Sequence, residues 1–133
     1  MNHGSRTARA ALGGLLAALL LAGCGLSPDA ASRVAKAREY RADGELQSAL
    51  IELKNALKDD PANVEARTLL GEVSLEAGDP ASAIKEFEKA MELGADAASL
   101  RVSYGAALRE AGNHAELIKL AVMDEVKKTF RPE

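Results

Sequence analysis

Shifting this chain by 34 residues lays much of it back onto itself. Gly44, Gly78 and Gly112 are 34 apart. The same spacing relates Ala49 to Ala83, Ala56 to Ala90, and Gly71 to Gly105. Leu50, Ile84 and Ile118 keep a branched aliphatic side chain at each step. A fixed period of this length is the mark of a repeat array, in which no unit buries its apolar face alone and stacked neighbours bury it together. The stretch Glu65 to Leu93 carries the pattern most completely. Ala, Leu, Glu and Lys dominate the composition and only 3% of residues are aromatic, which favours helices over strands.

Within each period the apolar residues recur at helical spacing. Val34, Ala37 and Tyr40 share one face of a helix expected over about Ala30 to Ala42. Leu46, Ala49, Leu50, Leu53, Ala56 and Leu57 form the stripe of the next, over about Leu46 to Lys58, which Pro61 prevents from continuing. The second unit pairs a helix over Val64 to Ala77, burying Leu69, Leu70, Val73 and Ala77, with one over Pro80 to Leu93, burying Ala83, Ile84, Phe87, Ala90 and Met91. Asp29, Asp79 and Asp96 are placed to cap helices, and Pro80 suits a first helical position. Gly71 is expected to let its paired helix approach closely. The third unit begins with Leu100, Tyr104, Gly105 and Leu108, turns at Gly112-Asn113, and offers Asn113 with Glu116 as a capping pair. It then drifts: Leu117, Ala121 and Asp124 stand where the repeat wants Ala, a large residue and Ala. Leu117, Leu120 and Ala121 fall on one side of this last helix, and Ile118, Val122, Met123 and Val126 elsewhere.

These features resemble the tetratricopeptide repeat (TPR) helix–turn–helix, whose period is 34 residues. Small residues occupy its eighth position (Ala37, Gly71, Gly105), Ala its twentieth and twenty-seventh, and Leu53 and Phe87 its large position. The resemblance covers roughly residues 30 to 130. It implies an all-α, TPR-type α-solenoid of antiparallel helix pairs, with about two full repeats and a degenerate third in units near 30–63, 64–97 and 98–131.

Residues 1–23 read as a secretory signal preceding that domain. Arg6 and Arg9 form a basic start, and Ala10 to Ala22 is an uncharged run of 13 residues, too short to span a bilayer as a helix. The run ends in Leu21-Ala22-Gly23-Cys24, which resembles the lipobox of bacterial lipoproteins. The resemblance implies cleavage between Gly23 and Cys24, a diacylglyceryl group on the Cys24 sulfur and further acylation, enough for stable anchoring. Residues 24–29 would be the lipidated tether. By similarity to the sorting rule of enteric bacteria, Gly25 rather than Asp implies the outer membrane, facing the periplasm.

No catalytic constellation is legible. After processing His114 is the one histidine left, at the first turn of a helix, and Cys24 is the one cysteine. No HExxH, CxxC or phosphate-cradling glycine loop is present, so neither enzymatic activity, a metal nor a cofactor is expected. Glu72, Glu76, Glu86 and Glu88 are spaced like solvated helix faces. Removal of residues 1–23 leaves 15 basic residues against 20 acidic ones, a charge of −5, which argues against nucleic acid as partner.

In TPR arrays the first helix of each unit lines a concave groove. By resemblance the groove positions are Ala31, Val34, Arg38 and Arg41, then Glu65, Thr68, Glu72 and Leu75, then Ser99, Val102, Ala106 and Arg109. They are basic in the first unit and acidic in the second. None is Lys or Asn, unlike the carboxylate clamp of chaperone-binding TPR domains. The expected partner is therefore another protein, with membrane attachment through the lipid. The last helix lacks the polar outer face of a terminal repeat, which implies self-association or a partner docked there, or a truncated piece of a longer array. Residues Ala49 to Pro61 look most like the TPR lipoproteins of exosortase (PEP-CTERM) loci, linked to exopolysaccharide and protein sorting, whose members are far longer. Pilus and outer-membrane assembly lipoproteins are the alternatives, as is a groove that binds peptide or polysaccharide.

Overall fold

The computed structural model describes residues 29–129. The expected signal, Gly23, Cys24 and most of the tether therefore lie outside the described residues. Six helices follow in order: α1 (Ala30–Ala42), α2 (Leu46–Asp59), α3 (Val64–Glu76), α4 (Pro80–Glu92), α5 (Ala97–Glu110) and α6 (His114–Thr129). The bounds of α1 to α4 match the expected helices to within a residue, and four of the caps named above are used. Asp29, Asp79 and Asp96 accept from the backbone N–H groups of Ser32, Ser82 and Ser99, and Asn113 accepts from that of Glu116.

The turn inside each pair is copied three times. Gly44, Gly78 and Gly112 take φ of +77°, +80° and +70°, which a residue bearing a Cβ rarely adopts. The next residue's N–H reaches back five positions: Glu45 to Tyr40 O, Asp79 to Ser74 O and Asn113 to Leu108 O, at 2.8, 2.9 and 2.8 Å. This is the Schellman closure, which satisfies carbonyls that the helix end leaves open.

Burial follows the repeat. Val34, Ala37, Ala49, Leu53, Ala56, Ala66, Leu69, Leu70 and Val73 make a first core from α1, α2 and α3, with Leu50 and Leu57 packed against it. Ala83, Phe87, Ala90, Leu100, Tyr104, Ala107 and Leu108 make a second from α4 and α5, with Leu75, Ile84, Met91, Leu117 and Leu120 against it. Each core is thus closed by the first helix of the following unit. Ala77, expected inside, is exposed because it is the C-cap that leads out of α3.

The two ends differ. On α3 the residues facing the preceding unit are Ala66, Leu69, Leu70 and Val73; on α1 the same register holds Ser32, Ala35, Lys36 and Glu39, all exposed. This face of α1 is thus polar where the matching face of α3 is apolar. At the other end Val102, Ile118, Val122, Met123 and Val126 are exposed.

Candidate protein-binding groove

The inner face is built by α1, α3 and α5. Arg38 and Arg41 project from α1 towards the acids of α3, one full unit later. Arg38 Nη2 lies 2.6 Å from Glu65 Oε1 and Arg41 Nη1 lies 2.6 Å from Glu72 Oε2. Arg41 also donates through Nε and Nη2 to Glu76. Its charged form is stabilised above the ordinary guanidinium chiefly by Glu76, then by Glu72, against an opposing cost of burial. The basic first unit and acidic second unit of the sequence reading therefore neutralise each other. Between them lies an open cavity of about 240 Å³ lined by Arg38, Arg41, Glu65, Thr68, Leu69 and Glu72.

The structure sorts the groove residues expected from sequence. Arg38, Arg41, Glu65, Thr68 and Glu72 come together around that cavity. Val34 does not line it: at 2% exposure it is a core residue, because α3 covers it. Leu75 packs against the second core. Val102, at the register of Val34, is 82% exposed, and Arg109 lies exposed on the same helix.

A second set of charges was not foreseen. Arg67 Nη1 meets Glu86 Oε2 at 2.8 Å, with side chains only 16% and 14% exposed. One unit earlier, Arg33 Nη1 meets Glu52 Oε2 at 3.2 Å. Each pair ties the first helix of a unit to the second. The signal was present in the sequence, since Arg33 and Arg67, like Glu52 and Glu86, are 34 apart. Glu88 accepts at 3.0 Å from the Tyr104 hydroxyl. Of the four acids read as solvated faces, Glu72, Glu76, Glu86 and Glu88 all hold a named partner.

Among the described residues, no group of three or more His, Cys, Asp or Glu is placed to hold a metal, and no helix is long and apolar enough to cross a membrane. What these helices define is an α-solenoid of antiparallel pairs with an ion-paired inner face, a class that works by presenting surface to other proteins. The sequence matches the tetratricopeptide repeat family over residues 34–98 and again over 75–119, and the chain belongs to that family. No curated protein is similar enough to match.

Proposed function

We propose that this chain is a lipid-anchored TPR scaffold of the bacterial envelope, which holds a protein partner against its inner face and performs no catalysis. The anchor rests on Leu21-Ala22-Gly23-Cys24 directly after the apolar run. The site rests on one observation: Arg38, Arg41, Glu65 and Glu72 surround an open cavity with charges of both signs, a surface that recognises an extended partner by polar contacts rather than by apolar burial. The outer membrane, facing the periplasm, is the compartment we favour. The wording of Ala49 to Pro61 supports a role alongside exosortase-type sorting or exopolysaccharide export.

Two measurements test this. Intact-mass analysis of the membrane fraction should find a mature chain beginning at Cys24 with added diacylglyceryl and acyl mass, absent from Cys24→Ala. Crosslinking from that membrane should recover a partner whose yield drops at least severalfold in Arg38→Glu. An unmodified soluble chain removes the anchor, and an Arg38→Glu yield equal to wild type removes the groove.

A further inference from the structure

We draw no further inference here: the strongest candidate, the exposed apolar stripe of Ile118, Val122, Met123 and Val126 on α6, carries nothing because nothing in the structure shows what covers it.

Discussion

Phe87 sits where a side chain on Gly71 would be. A Cβ built at Gly71 would lie 2.6 Å from Phe87 Cε1, so the ring fills the space that glycine leaves and is itself fully buried. From there it meets Tyr104 edge to face, with centroids 6.5 Å apart and planes at 81°. In the third unit Gly105 has no such neighbour, because the matching large position is Ala121; Leu117 and Leu120 approach only to 3.8 Å.

Gly71→Ala and Gly105→Ala should therefore differ in sign. The first forces the Phe87 ring aside in a filled core, at a cost of about 1–3 kcal/mol against a helix-propensity gain of about 1 kcal/mol. The second keeps the propensity gain with ordinary van der Waals contact. Urea unfolding of both variants checks this, and equal destabilisation would refute it.

The half-buried pair Arg67–Glu86 should couple more strongly than the exposed pair Lys89–Glu92. Exposed i,i+3 pairs contribute about 0.3–0.5 kcal/mol, whereas removing one partner from a sheltered pair strands the other charge. Double-mutant cycles with Arg67→Met and Glu86→Gln should give about 1 kcal/mol or more, and less than half that for Lys89 with Glu92.

Tyr104 should give the fold an alkaline limit. Burial, then its hydrogen bond to Glu88, raises its hydroxyl pKa above the ordinary 10. The folded state thus keeps a proton that the unfolded chain releases. Its contribution is intact below about pH 10 and declines as pH rises beyond that. Tyr104→Phe has no proton to lose. The stability gap between wild type and variant, followed by thermal melts, should narrow above pH 10 and stay constant from pH 7 to 9.

Exchanging the charges across the inner face separates folding from recognition. Arg41→Glu alone places three acids together and should destabilise the array by about 1–2 kcal/mol. Adding Glu72→Arg should restore most of that stability while leaving the partner's contacts reversed. A doubly exchanged chain that melts like wild type yet captures partner normally would show that these side chains carry no recognition.

Helices, turns and caps were legible because each rests on local chemistry: Asp79 before Pro80, Gly112 before Asn113, Ala at the crowded positions of α2 and α4. The groove was half legible. Spacing identified Arg38, Arg41 and Glu72 as inward, but the helix period says nothing of which charge meets which, and that is decided by residues a whole unit apart. Val34 was misplaced for a related reason. Its register is open on α5 and covered on α1, and only the stacking of α3 tells the two apart. The Arg67–Glu86 tie was missed because its acid was read within its own helix instead of against its copy at Glu52.

The ion pairs Arg38–Glu65 and Arg41–Glu72 cross the inner face where the first unit meets the second. Arg38, Arg41, Glu65 and Glu72 clasp the first unit to the second, while one unit later the same positions hold Glu72, Leu75, Ser99 and Ala106. Raising the ionic strength screens this clasp. Salt should therefore loosen the groove first where α1 meets α3, at the Arg38–Glu65 and Arg41–Glu72 pairs.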